Sequence, residues 1–141
     1  MKVVVIYASR GNSAKVISEY IKDSLQLEAL LVCVNGNNID AAELDFDHLI
    51  LVCPTYGDEE LEIEMELFLT RSNWFRHKNS SFSVCELGLY RGYLETTMGA
   101  GKIISDFLIS KGLVRKGSLL SVETMPINSF LLINKWVKGL I

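Results

Sequence analysis

Apolar residues fall along this chain in two alternating patterns. Val3–Tyr7, Ala29–Val34, Leu49–Cys53, Phe82–Leu87 and Ser118–Glu123 are short runs rich in branched or aromatic residues. Runs of this length bounded by Gly, Pro, Asn or Ser read as strands, and those without polar alternation as strands buried on both faces. Between them apolar residues return every three or four positions, the period of an amphipathic helix. Val16, Ile17, Tyr20, Ile21 and Leu25 predict a helix opened by Ser13. Leu61, Met65, Phe68 and Leu69 predict a second, with Glu60, Glu62, Glu64 and Glu66 on its other face. Thr97–Lys111, ended by Gly112, and Asn128–Lys138 complete the set, while residues 39–47 read as a short helix or loop and 71–80 as a polar turn. Five strands alternating with helices predict an α/β domain with a parallel sheet and right-handed crossovers. No repeat, linker or low-complexity tract divides the chain, so residues 1–141 read as one domain.

Three connections follow strands one, three and four, and neighbouring strands would bring them to one edge of the sheet. Open α/β sheets hold ligands at that edge, beyond the carboxyl ends of the strands. The first, Ala8-Ser9-Arg10-Gly11-Asn12-Ser13, joins a strand to a helix. Glycine permits close backbone approach, and the helix start presents unpaired N–H groups to an anion. Asn12 or Ser13 can also serve as an ordinary helix cap. The segment has neither the Gly-Lys-Ser/Thr of a P-loop nor a G-x-G-x-x-G fingerprint. The second, Pro54-Thr55-Tyr56-Gly57-Asp58, offers an aromatic face, a hydroxyl and a glycine beside an acid, which suits a flat, electron-accepting ring. The third is Gly88–Glu95.

Taken in order, the three loops resemble those of the flavodoxins. That family binds FMN, with the phosphate in a strand-to-helix loop of pattern T/S-x-T-G-x-T and the flavin ring between two further loops. Gly11 and Ser13 match the phosphate pattern and Asn12 is a frequent choice in it, whereas Ala8 and Arg10 stand where hydroxyl residues are usual. The resemblance implies Ser9, Arg10, Gly11, Asn12 and Ser13 as phosphate-binding residues. It makes Pro54, Thr55, Tyr56, Gly57 and Asp58 one wall of the ring site, with Tyr56 stacked on the flavin. The Gly57-Asp58 carbonyl would be the one that turns toward flavin N5 on reduction. The third loop usually reads G-x-G-D and then an aromatic; here it reads Glu86-Leu87-Gly88-Leu89, with Tyr90 and Tyr93 following. Gly88 and Leu89 would border the ring, with Tyr93 on its other face and Tyr90 in reserve. The implied fold is flavodoxin-like and doubly wound: a five-stranded parallel sheet in order 2-1-3-4-5 with helices on both faces. It would be the short-chain form, because Ser118–Glu123 runs on without the insertion of about twenty residues that marks the long form.

Charge sharpens the partner expectation. Residues 40–70 hold ten Asp/Glu and no Lys/Arg, against a net charge of −3 for the chain. Such a run is either a solvated face or a docking surface for a basic redox partner around residues 58–66. The basic residues after position 70 are dispersed, which argues against nucleic-acid binding. No apolar run reaches the length of a membrane span, and the first residues lack a signal-peptide pattern, so a cytoplasmic monomer is expected. Cys33, Cys53 and Cys85 sit in apolar runs without C-x-x-C spacing and read as core residues rather than metal ligands. Trp74, Trp136, Met65 and Met98 read as packing residues, and His48 and His77 as surface or strand-edge groups. The expected function is one-electron transfer through FMN without catalysis of its own, since no acid/base or nucleophile set flanks the loops. The alternatives are an FMN-dependent quinone or acceptor reductase of the same fold, and a regulatory module that has lost the flavin, to which Ala8, Arg10 and Leu89 would point. A receiver domain fits poorly, because Ala8-Ser9 and Cys53-Pro54 stand where its acids would be.

Overall fold

The computed structural model describes residues 1–8, 13–35, 39–56, 60–88, 99–123 and 127–140. Strand β1 (Val3–Tyr7) pairs in parallel with β2 (Ala29–Cys33) on one side and with β3 (His48–Tyr56) on the other. A two-residue strand β4 (Glu60–Leu61) folds back antiparallel on the end of β3. Strand β5 (Ser81–Gly88) lies parallel to β3, and two short strands, β6 (Val114–Arg115) and β7 (Leu120–Glu123), share its outer side. The sheet order is therefore β2-β1-β3-β5-β6/β7, the 2-1-3-4-5 arrangement with its last position divided between two pieces.

Among the described residues four helices cover the sheet: α1 (Ser13–Ser24), α2 (Ile63–Arg71), α3 (Ala100–Ser110) and α4 (Ile127–Leu140). Alternation along the strands decides which face each helix meets. Val4, Ile6, Leu49, Leu51, Phe82 and Val84 pack with Met65 and Phe68 of α2 and with Ile104 and Leu108 of α3. Val3, Val5, Ile50, Val52, Cys85 and Leu87 pack with Ile17 and Ile21 of α1 and with Ile133 and Val137 of α4. Both faces of β1, β3 and β5 are thus dry, which is why these strands carry continuous apolar runs.

Two sequence expectations are corrected at strand ends. β3 does not stop at Cys53 but runs through Pro54 and Thr55 to Tyr56. The β1 pairing ends at Tyr7–Val52, so at Pro54 the strand has a partner on the β5 side only, where a missing N–H is tolerated. The fifth strand is shorter than the pattern predicts: Ser118 and Leu119 lie outside β7, and a separate two-residue strand, β6, precedes it. After β6 the Lys116 N–H donates to the Phe82 carbonyl, and the chain then turns through Gly117 at φ +76° before rejoining β5 as β7.

Of the histidines, His77 is corrected, and His48, at a strand end as expected, proves to be buried. His77 is buried, its ring stacked on Phe46 with centroids 4.0 Å apart and Nε2 2.7 Å from the Ala41 carbonyl. His48 is buried at the start of β3 between two hydroxyls, with Nδ1 2.7 Å from Ser81 Oγ and Nε2 2.9 Å from Ser83 Oγ. Ser83 donates onward to the Lys116 carbonyl at 2.7 Å, so its oxygen accepts from Nε2–H, and the neutral imidazole is satisfied at both nitrogens. Burial, and then the Lys116 charge, lower the His48 pKa from 6.5 to about 4. The unfolded chain takes up a proton on this ring as the pH falls through 6.5, whereas the folded chain resists until about 4. Stability is therefore fully present above pH 6.5 and declines through that window, by on the order of 2–3 kcal/mol from this group. Urea unfolding at pH 7 and pH 4.5 measures the decline. His48→Gln should flatten it, and an undiminished pH dependence in that variant would contradict the assignment.

Candidate functional site

The order β2-β1-β3-β5 sets the carboxyl ends of β1, β3 and β5 side by side, with the reversal of winding at β1. This is the switch point at which doubly wound sheets form a ligand crevice. After β1 comes buried Ala8, whose N–H donates to the Val52 carbonyl at 3.2 Å, and α1 begins at Ser13. The twelve residues of α1 carry no acid in their first turn, so nothing there repels an anion from the helix start. β3 ends at this edge as a hairpin, Thr55 paired with Leu61 and Tyr56 with Glu60. β5 ends here at Gly88, and α3 begins here after Gly99, at φ +99°.

Of the residues proposed from sequence, Ser13, Pro54, Thr55, Tyr56 and Gly88 have their backbones at this edge. Pro54 is half-buried and Gly88 buried. Ser9, Arg10, Gly11, Asn12, Gly57, Asp58, Leu89, Tyr90 and Tyr93 lie outside the described residues, as does Met98.

Two functional-edge residues were missed from sequence, and both are buried acids. Glu62 is not part of an exposed acidic helix face. It precedes α2 as its cap, 1% exposed, and its Oε2 accepts from the Met65 N–H at 2.9 Å. Glu86 is fully buried on β5, with Oε2 accepting from the Gly101 N–H at 2.8 Å and Oε1 from the Ser121 hydroxyl at 2.5 Å. Both carboxylates sit on the α2/α3 face, and each meets a helix start, where the dipole favours negative charge. The signal for Glu86 was available: an acid inside a strand buried on both faces must be hydrogen-bonded.

Between these acids lies Cys53, the register partner of Glu86. Burial above all, and then the charges of Glu62 and Glu86, push its thiol up to about 12, against an opposing hydrogen bond from the Glu62 backbone. Burial also raises Cys85 strongly. Buried and held protonated near neutral pH, neither thiol is poised as a nucleophile. Among the described residues no group of three His, Cys, Asp or Glu could hold a metal ion, and no helix is long and apolar enough to cross a membrane.

The remaining acids of residues 40–70 are divided between the two sheet edges. Asp45 pairs with Lys2 at the amino edge and lies 3.9 Å from Arg76, and Asp47 accepts from the Lys2 N–H at 2.7 Å. Asp40 caps the 3-10 turn Ala41–Glu43 and also accepts from the Asn73 N–H, both at 2.9 Å, which holds its carboxyl below the usual range. At the candidate site α2 presents exposed Glu66, half-buried Glu64, and Ile63 at 54% exposure. Two open grooves among the described residues, of about 960 and 570 Å³, are lined from the opposite, amino edge and have no bearing on this site.

Sheet order, helix placement and the loop-bearing carboxyl edge define a doubly wound α/β protein of flavodoxin-like fold. The sequence profile of the flavodoxins matches residues 5–129, and the chain belongs to that family. Its fold is similar to oxidised flavodoxin 2 from Bacillus cereus, at 24% identity and TM-score 0.82, covering 99% of this chain and 97% of that one. A flavodoxin of Streptococcus pneumoniae TIGR4 aligns at 19% identity and TM-score 0.82, covering 99% and 97%. A Fusobacterium nucleatum flavodoxin solved bound to flavin mononucleotide aligns at 19% identity and TM-score 0.77, covering 97% and 95%. A comparison with curated proteins finds no match.

Proposed function

We propose that this chain is a single-domain, FMN-binding electron-transfer protein that shuttles single electrons between redox partners. The observation that carries this is the convergence of three strand ends, those of β1, β3 and β5, at the switch point of a flavodoxin sheet. Family membership and the FMN-bound relative support the same cofactor. The described residues fit it: the start of α1 is free of acids, and Gly88 ends β5 without a side chain to intrude.

In this reading Ser9, Arg10, Gly11, Asn12 and Ser13 hold the phosphate through backbone N–H groups and hydroxyls, with Arg10 adding a charge-assisted bond. Tyr56 and Tyr93 cover the two ring faces and exclude water, with Tyr90 beside them and Pro54, Thr55, Gly88 and Leu89 bordering the ring. The Gly57-Asp58 peptide turns to present a carbonyl to the ring, a change that glycine allows with little strain. FMN supplies the one-electron chemistry, and the protein positions and tunes it. Asp58, Glu59 and Glu60 place negative charge nearby and disfavour an anionic reduced ring. The docking surface for a basic redox partner narrows to residues 58–60, Glu64 and Glu66, with exposed Ile63 as its apolar centre, because Glu62 is buried. The protein acts as a cytoplasmic monomer and binds neither nucleic acid nor membrane.

Tyr56→Ala should weaken FMN binding by about 1–2 kcal/mol, roughly 5–30-fold, if the ring stacks there. Fluorescence titration of the apoprotein measures this, and unchanged affinity removes Tyr56 from the site. Carrier and reductase separate in a second assay. The reduced, FMN-loaded protein should pass electrons to a one-electron acceptor such as cytochrome c. Sustained turnover of a reduced nicotinamide with a quinone by the isolated protein would contradict the carrier role.

A further inference from the structure

We propose that Glu86 is a positioning residue for the flavin site, its buried carboxylate fastening α3 and β7 to the end of β5. This rests on the FMN reading for its effect on affinity, but the contacts stand independently of it. Glu86 lies two residues before β5 ends at Gly88 and is 0% exposed. A carboxylate so placed costs several kcal/mol unless its oxygens are bonded. Among the described residues the ion pairs are those of Asp45 with Lys2 and Arg76, so Glu86 is balanced by hydrogen-bond donors and not by a cation. Oε2 takes the Gly101 N–H in the first turn of α3, and Oε1 takes the Ser121 hydroxyl on β7.

An ordinary helix cap comes from the residue that begins the helix. Here that residue is Gly99, which provides no side-chain bond, and the cap is delegated to a different strand. A local cap would stabilise α3 alone, whereas this one ties three elements at the edge where the loops converge. The fit around it is close: a Cβ on Gly101 would lie 2.9 Å from Glu86 Oε2 and 2.5 Å from Leu119 Cδ1, so a larger residue there would displace the carboxylate or the leucine tip. The Glu86 carboxylate thus links the end of β5 to the start of α3, in addition to the packing of Ile104 and Leu108 on the sheet. Gly88 and Gly99 are the described residues on either side of the sequence that bears Leu89, Tyr90 and Tyr93.

Glu86→Ala removes both bonds, whereas Glu86→Gln keeps an acceptor for Gly101, turns the Ser121 contact round so that the amide N–H donates to the hydroxyl oxygen, and removes the charge. In the apoprotein, hydrogen exchange of the first-turn amides of α3 should speed up by at least about tenfold in Glu86→Ala and stay within about threefold of the parent in Glu86→Gln. The FMN dissociation constant should follow the same ranking, rising at least about tenfold in the alanine variant only. If Glu86→Ala does not fold, Ser121→Ala carries the test, with a rise of roughly three- to tenfold expected from loss of the Oε1 partner. A drop in thermal midpoint with unchanged FMN affinity would reduce Glu86 to a structural group and overturn the proposal. So would Glu86→Gln behaving like Glu86→Ala, since charge and not positioning would then be the cause. If the parent protein takes up no FMN, the FMN reading fails by itself; exchange then decides, and unchanged α3 amides in Glu86→Ala overturn the clamp.

Discussion

Replacing Phe82 by alanine is expected to lower the unfolding free energy by about 3–5 kcal/mol, a large share of what a domain of this size possesses. Phe82 is fully buried on β5, in the cluster that joins the sheet to α2 and α3 through Leu49, Phe68, Ile104 and Leu108. Both its strand neighbours are register partners, Leu49 on β3 and Arg115 on β6, and its carbonyl accepts the Lys116 N–H that ends β6. The backbone on either side is therefore held in the sheet, and the cavity left by the ring cannot readily close. Denaturant unfolding reads the loss. If FMN binds the folded chain alone, a hundredfold excess over its dissociation constant should restore about 2.7 kcal/mol. A variant within about 1 kcal/mol of the parent would mean that the two faces of β5 repack far more freely than close-packed cores allow.

Trp74→Ala should cost a similar amount, about 3–5 kcal/mol, for a different reason. Trp74 is buried in the connection between α2 and β5, a segment that reads as polar and turn-like. Its indole N–H donates to the Leu69 carbonyl at 2.9 Å near the end of α2, and its ring meets Phe68 edge-on at 5.6 Å. His77 approaches its other side at 6.3 Å, stacked in turn on Phe46. One side chain thus anchors the amino edge of the sheet, opposite the candidate site. The expected outcome is a large loss of stability with FMN affinity unchanged within about twofold in the folded fraction. A comparable loss of affinity would show that the two edges are coupled.

Most of the fold is legible in the hydrophobic pattern because β1, β3 and β5 are buried on both faces and tolerate little else. Val3–Tyr7 is found with its boundaries unchanged, and the parallel order follows from the alternation of strands with helices. The pattern misleads where tertiary partners override local signals. Pro54 looks like a strand end, but β3 continues because its β1 neighbour has already stopped. Val114–Arg115 is too short to register as a strand and exists only because Ser81 and Phe82 offer an open edge. His77 looks like a surface residue because nothing local announces Phe46 and the Ala41 carbonyl. At the candidate site, Ser13, Pro54, Tyr56 and Gly88 could be ordered along one edge from strand positions alone. The burial of Glu62 and the partners of both Glu62 and Glu86 could not. Their partners, the first turns of α2 and α3 and the Ser121 hydroxyl, are brought to them by the fold, and an acidic run disguises a buried cap as one more solvated glutamate.

The visible spectrum of the purified protein after incubation with FMN and removal of free ligand tests the flavin claim most directly. A yellow protein is expected, with bands near roughly 370 and 450 nm and one flavin per chain. A colourless protein that takes up no FMN at micromolar concentration would contradict it.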